Sequence, residues 1–411
     1  MRTPGSALSA WVAGFALRDI SIVDWQFRVG LVIALVAVLV SSWLWLRRRL
    51  FRWGARALCV PLLVALVGAG INAHYDYFPT LGALLGRNAA DQVSASTFAR
   101  LEHSYRRKVQ GASHYGRQIS SPGSLPARGV VLAFSIPATV SHFPARTGQV
   151  YLPPVWFESP HPHLPVIELL HGSPGSPADW TRGGAADLTA DKYAQTHGGF
   201  APILVMPDVN GVDWQRDSEC VDGPQGNAET YLTVDVRNAV VHAFGARADG
   251  ASWGVAGLSE GGSCALQMGL RHPDLFRVVG DFSGDDHPWI SGGLKRLFWG
   301  TTPSQLLRAE QSYDPRAILS RWHSTDAPAI DFSSGRSDHV LPKMRRLFVQ
   351  AQRDHIAATL EAFSGGHTFW LWNQSFAWAL PWMMRYLGEA HTPRLVSARP
   401  GHKLAQTRLH A

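Results

Sequence analysis

The residue with the clearest capacity for chemistry is Ser259, set in Gly257-Leu258-Ser259-Glu260-Gly261-Gly262. Glycines on both sides of a serine permit a sharp backbone turn that exposes the hydroxyl. The bare G-x-S-x-G spacing is common. Here a candidate strand, Ser252–Ala256, runs into it and a helical pattern, Ser259–Arg271, runs out, which is the context a nucleophile requires. The competing reading is a serine that only caps a helix. A serine hydroxyl becomes nucleophilic when a base takes its proton and an acid orients that base. With the nucleophile after a central parallel strand, the acid and then the base are expected on loops after later strands. Gly335-Arg336-Ser337-Asp338 leaves the candidate strand Ala329–Phe332, so Asp338 is the expected acid. Asp331 is its nearest competitor but lies inside the strand, and Asp326 is a turn residue before Pro328. His367, presented by Ser364-Gly365-Gly366 ahead of an aromatic run, is the expected base. His339 adjoins the acid and reads as a loop histidine poorly placed to reach the same carboxylate. His272, His287 and His355 are less well placed, the first ending the nucleophile helix and the last inside a predicted long helix.

An acyl-transfer intermediate also needs two backbone donors for its oxyanion. The amide of Glu260, directly after the nucleophile, is one expected donor. The other falls in Leu169-Leu170-His171-Gly172-Ser173-Pro174-Gly175, where Gly172 allows close approach and Ser173, unlike Pro174, carries an amide. Asp179 and Trp180 follow on the same loop, either lining a pocket or simply packing. No nucleotide loop, flavin fingerprint or haem motif is present, so no cofactor is expected. Eighteen histidines form no H-E-x-x-H and no tight His/Asp cluster, and His161 and His163 in a Pro-rich loop read as solvated, so no metal is expected either.

The elements that must position these groups follow an alternating pattern. Candidate strands are Val130–Phe134, Gln149–Leu152, Pro165–Leu170, Pro202–Met206, Ser252–Ala256, Val278–Phe282 and Ala329–Phe332. Candidate helices are Ala185–Gln195, Ala228–Phe244, Ser259–Arg271, Leu341–Phe363 and Ser375–Leu387. Short apolar runs alternating with helical patterns predict an α/β class with a parallel sheet, the first two strands forming an antiparallel opening. The expected catalytic domain is 129–388, with an α/β-hydrolase fold. Asp208–Asn227 and Asp285–Gln311 fall after strands, where substrate-contacting loops belong. Cys220 and Cys264 could pair outside the cytoplasm, but nothing in their spacing demands a bridge, and unpaired thiols are the expectation.

Ahead of this domain lie two uncharged apolar runs, Val29–Leu46 and Ala57–Ala73, separated by a turn with Arg47, Arg48, Arg49, Arg52 and Arg56. They predict a two-helix transmembrane hairpin over 29–73 that contacts membrane lipids, the alternatives being buried core helices or an uncleaved signal peptide with one span. Positive-inside reasoning puts the arginine turn in the cytoplasm and the large domain outside it, a multi-pass cell-membrane protein. Residues 1–28 are expected to be extracytoplasmic or interfacial, with Trp11–Ile20 an interfacial segment. A neck is expected over 74–128, with a helix near Ser94–Val109, and a flexible basic tail over 389–411. The net charge of +7 sits in the arginine turn and the tail rather than in a folded stripe, which argues against nucleic-acid binding.

With the motifs around His171-Gly172-Ser173, Asp208, Gly257–Gly262, Ser283-Gly284 and Gly366-His367-Thr368-Phe369-Trp370, the chain resembles the putative-esterase family, which includes esterase D-like enzymes and the antigen 85 mycolyltransferases. Its hairpin and Tyr77–Gly86 stretch resemble membrane-anchored actinobacterial members. The resemblance implies Ser259 as nucleophile, His367 as base, Asp338 as acid and the Ser173 and Glu260 amides as oxyanion donors. It departs from the mycolyltransferases in the hairpin and in having His171 and Ser173 on the oxyanion loop. The expected activity is hydrolysis of an acyl ester, of a lipid or glycolipid. The alternatives are transfer of an acyl or mycolyl group to a sugar hydroxyl, a peptidase using the same triad, and a non-catalytic envelope-binding domain.

Overall fold

The computed structural model describes residues 21–44, 49–78, 81–84, 92–93, 126–158, 160–212, 217–322 and 326–387. The interfacial segment expected at 11–20, the neck helix expected near 94–109 and the tail expected from 389 lie outside the described residues.

A nine-stranded, mostly parallel sheet organises the large domain. In chain order its strands are β1 (Gln92–Val93), β2 (Val130–Phe134), β3 (Gly148–Leu152), β4 (Val166–Leu170), β5 (Ile203–Met206), β8 (Trp253–Leu258), β9 (Val278–Phe282), β10 (Ala329–Gly335) and β11 (Ala358–Phe363). The short strands β6 (Asp222–Gly223) and β7 (Gly226–Asn227) pair separately. The spatial order is β1-β2-β3-β5-β4-β8-β9-β10-β11, with β3 antiparallel to both neighbours and β8 central between β4 and β9. This is an α/β-hydrolase sheet, and the antiparallel opening lies where the sequence predicts it.

The strands read as continuous apolar runs because both faces are covered. On β4, Val166 and Leu170 join the core on one face while Ile167 and Leu169 join the core on the other. The first core packs the helix Glu260–Arg271 through Cys264, Ala265 and Met268; the second packs Phe369–Tyr386 through Phe376, Leu380 and Met383. A satellite cluster of Val221, Ile290, Leu297, Phe298, Leu306 and Tyr313 gives the two loops after β5 and β9 a small core of their own.

Several elements differ from the sequence reading, among them β1, which lies inside the expected neck yet pairs with β2. The helix predicted to run to Phe363 ends at Arg353, and Ala358–Phe363 is the edge strand β11. His355, at φ 59°, makes the break without a glycine or proline to announce it, and so sits in a turn rather than in a helix. The last helix begins at Phe369 rather than Ser375, because the Thr368 hydroxyl accepts the Leu371 amide and caps it there. The helix over Ala228–Phe244 is interrupted by a π-helical turn at Tyr231–Val236.

Two N-terminal helices, α1 (Trp25–Leu44) and α2 (Arg49–Tyr75), pack against each other. Each holds a 19-residue stretch long and apolar enough to cross a membrane, Trp25–Trp43 and Ala57–Tyr75, about the 20 residues a bilayer core requires. They are not core helices. Ile33, Trp43, Val60 and Val64 are 64–68% exposed, so this apolar surface is left uncovered among the described residues.

Cys220 and Cys264 form a disulfide, contrary to the expectation of free thiols. Spacing carried no signal because the two residues are brought together only by the fold, across 44 residues of chain. The bridge ties the loop after β5 to the helix that follows Ser259. Replacing both by serine is expected to cost roughly 2–4 kcal/mol of unfolding free energy. Denaturant unfolding of the variant beside the parent checks this, and an unchanged midpoint would show the bridge to be energetically idle.

Candidate active site

Ser259 sits between β8 and the helix Glu260–Arg271 with φ 56° and ψ −124°, a conformation L residues rarely adopt. The surrounding glycines make it possible by allowing contacts no side chain would survive. A Cβ on Gly257 would lie 1.8 Å from the Gly261 carbonyl oxygen, and one on Gly261 would lie 2.2 Å from that of Leu170. The Ser259 amide donates to the Phe282 carbonyl on β9 at 2.9 Å, and the Gly262 amide to the Ser259 carbonyl at 2.8 Å.

The three residues expected to act together are brought together. His367 Nε2 lies 2.9 Å from Ser259 Oγ, and His367 Nδ1 lies 3.0 Å from Asp338 Oδ2. Because a carboxylate only accepts, Nδ1 carries the proton and Nε2 keeps its lone pair for the serine. Burial works against the Asp338 carboxylate, but hydrogen bonds from His367, Ser283 and the Val340 amide outweigh it and hold its pKa below the usual range. His339 does reach this carboxylate, contrary to the sequence reading. Its Nδ1 lies 3.3 Å from the other oxygen, Oδ1, although the side chain is 73% exposed.

Ser173 lies on the loop beneath Ser259, and the approach is close. A Cβ on Gly172 would come within 3.0 Å of the Ser259 Cβ. Glu260 opens its helix, where the first amides have no intrahelical carbonyl to bond. Ser173 thus follows a glycine packed against Ser259, and Glu260 follows Ser259 in the chain. Trp180 is fully buried and donates to the Leu170 carbonyl at 2.9 Å, so it packs rather than lining a pocket.

Sequence reasoning missed the groups that hold this loop. His171 donates from Nδ1 to the Gly172 carbonyl at 2.8 Å, with Nε2 3.1 Å from Asp208 Oδ1. Asp208 is fully buried and accepts from the Arg146 amide at 2.7 Å and from Arg146 Nε at 3.0 Å. Burial raises the Asp208 pKa, but His171 and Arg146 more than reverse this and hold it far below normal. The Glu260 side chain is buried behind the turn, accepting Asn210 Nδ2 at 2.7 Å and the Glu219 amide at 3.3 Å. Burial and the neighbouring Asp217 and Glu219 push its pKa well up.

Clustering of acids and histidines was also underestimated. Asp285, Asp286 and His287 come within metal-ligand distance of one another, as do Asp338, His339 and His367. The first group is engaged by Lys343, Arg316 and Arg346, so its charge is already balanced. The second contains the Asp338–His367 pair described above.

The family model "Putative esterase" matches residues 144–383. An uncharacterised protein of Corynebacterium glutamicum is 29% identical over 351 residues, 82% of this chain and 78% of that protein. Among solved structures, an S-formylglutathione hydrolase from Agrobacterium tumefaciens aligns with TM-score 0.53 and 19% identity over 64% of this chain and 97% of its own. A ferulic acid esterase aligns with TM-score 0.52 and 18% identity, over 63% and 98% respectively. Fold and family together define an esterase of the α/β-hydrolase class. The chain belongs to the family "Putative esterase".

Asp331 can be separated from Asp338 by experiment. It is fully buried on β10, and burial raises its pKa to about 7, although the Ser333 hydroxyl donates to it at 2.8 Å. A carboxyl that is more basic folded than unfolded favours the fold at acid pH and loses that contribution as pH rises from about 4 toward about 7. Asp331→Asn should therefore keep activity, and its stability relative to the parent should increase between about pH 4 and pH 8. Asp338→Asn should lower kcat roughly 10⁴-fold. Kinetics with melting curves at both pH values check the pair, and the opposite pattern would assign the acid to Asp331.

Proposed function

We propose that the protein hydrolyses an acyl ester through an acyl-enzyme on Ser259, with His367 as base and Asp338 as the acid that orients it. One observation carries the reading: Asp338 Oδ2, His367 and Ser259 Oγ form an unbroken hydrogen-bonded line at 3.0 and 2.9 Å, ending at a serine held on a strained turn. In the first half-reaction His367 Nε2 takes the hydroxyl proton as Oγ bonds to the ester carbonyl carbon. The Ser173 and Glu260 amides receive the oxyanion. Collapse breaks the bond to the alcohol oxygen, which takes the proton from His367. Water then repeats the sequence, releasing the acid and restoring Ser259.

The substrate reading is a lipid or glycolipid ester at the cell membrane, with 29–73 as a two-helix anchor, 74–128 as neck and 129–388 as an extracytoplasmic catalytic domain. The exposed apolar faces of α1 and α2 support the anchor. The Cys220–Cys264 bridge supports a location outside the cytoplasm, since disulfides persist in oxidising compartments. Transfer to a sugar hydroxyl differs from hydrolysis only in the acceptor that enters the second half-reaction.

A membrane-impermeant fluorophosphonate applied to intact cells tests both parts. It should label the parent and not Ser259→Ala. Labelling only by a permeant probe would overturn the orientation, and no labelling of folded protein by either probe would overturn the nucleophile.

A further inference from the structure

The end of the membrane helix α2 does not simply trail into a linker. Asp76, at φ 52°, stops the helix, with its amide on the Asn72 carbonyl at 2.7 Å. Asn72 then clasps the departing chain twice, donating from Nδ2 to the Phe78 carbonyl and accepting the Phe78 amide, both at 2.8 Å. This fixes the direction in which the chain leaves the span.

The two residues so aimed land on the two loops that bear the site. The Tyr77 hydroxyl donates to Asp179 Oδ1 at 2.9 Å. Asp179 in turn holds the loop of Ser173, accepting the Ser176 amide and hydroxyl at 3.0 Å each. The Tyr77 ring meets Phe369 edge-on, centroids 4.6 Å apart, and the Asp76 carboxyl faces the Thr368 side chain. Thr368 and Phe369 directly follow His367 in the chain.

The distances set the depth. Ring contacts run from Tyr77 to Phe369, from Phe369 to Trp372 and from Trp372 to His367, with centroids 4.6, 4.8 and 5.0 Å apart, and keep the imidazole within about 15 Å of Tyr77. The headgroup layer of a leaflet is itself about 5–7 Å thick. Tyr75 is exposed at the end of α2, and Trp370 and Trp378 are exposed on the helix that begins beside Tyr77. Such aromatics are at home at a membrane–water boundary.

We propose that Asp76 and Tyr77 dock the catalytic domain onto its own anchor, so that the site works at headgroup level and its substrate is an ester of a bilayer-embedded lipid, not a freely soluble one. This rests on the esterase and membrane-anchor readings above. The site keeps its internal bonds without the dock, namely Asp179 to Ser176, Thr368 to Leu371 and Asp338 to His367. Loss of Asp76 and Tyr77 therefore leaves the domain tethered by the chain but undocked from its anchor, without dismantling the catalytic line.

The full chain in phospholipid vesicles tests this, with a long-chain acyl ester incorporated in the same vesicles and p-nitrophenyl acetate in solution. Asp76→Ala combined with Tyr77→Ala should lose at least tenfold on the embedded ester and change less than threefold on the soluble one. Tyr77→Phe, which keeps the ring on Phe369, should retain most of the parent rate on both. Equal losses on both substrates, or no loss on either, would overturn the docking role, as would a parent enzyme that ignores the embedded ester while hydrolysing the soluble one. Fluorophosphonate labelling of the parent separates the underlying reading: its absence would bring down the esterase assignment and this proposal together.

Discussion

A backbone turn that must pass from a buried strand into a buried helix within one residue governs the rest of this molecule. Ser259 holds that turn at φ 56° and ψ −124°, a conformation that costs of order 1–3 kcal/mol and persists only when its surroundings over-determine it. They do so from several sides. The Ser259 amide is bonded to β9, Gly257 and Gly261 close on each other and on β4, and the helix beyond is buried along nearly its whole length. The strain leaves the hydroxyl facing the carboxyl ends of the strands, where the loops after β10 and β11 can deliver an acid and a base.

Around that turn the protein buries charge in unequal ways. Asp208 stays ionised because Arg146 and His171 serve it, and it thereby pins the loop that carries Ser173. Glu260 receives two hydrogen bonds but faces other acids, so its carboxyl is pushed toward the neutral form directly behind Ser259. A disulfide crosses the same region and joins the Glu219–Cys220 loop to the helix that follows Ser259. Ionic, neutral and covalent supports thus converge on one backbone segment, which is what a strained site requires of its scaffold.

Much of this was legible in the sequence because it depends on local pattern. Strand, glycine-flanked serine and helix are contiguous, and the seven strands read as apolar runs because both faces of the sheet are covered. Asp338 and His367 could be named because each follows a chain break marked by glycine. What escaped were features without a local mark. The turn at His355 uses a left-handed histidine instead of glycine, so β11 was absorbed into the preceding helix. The Cys220–Cys264 pair, the Asp208–His171 support and the reach of His339 to Asp338 depend on tertiary contacts that spacing does not encode. Tyr77 lay in the expected neck, and its partner Asp179 is distant in sequence.

The central claim is that acyl transfer passes through Ser259, and trapping the intermediate tests it most directly. The protein would be mixed with excess p-nitrophenyl ester, quenched in acid within milliseconds to seconds, digested and mapped by mass spectrometry. The account predicts one acyl group per chain on the peptide containing Ser259, formed in a burst before steady turnover and lost on further incubation. Steady turnover with no adduct on that peptide, or an adduct on another residue that decays at the turnover rate, would contradict it.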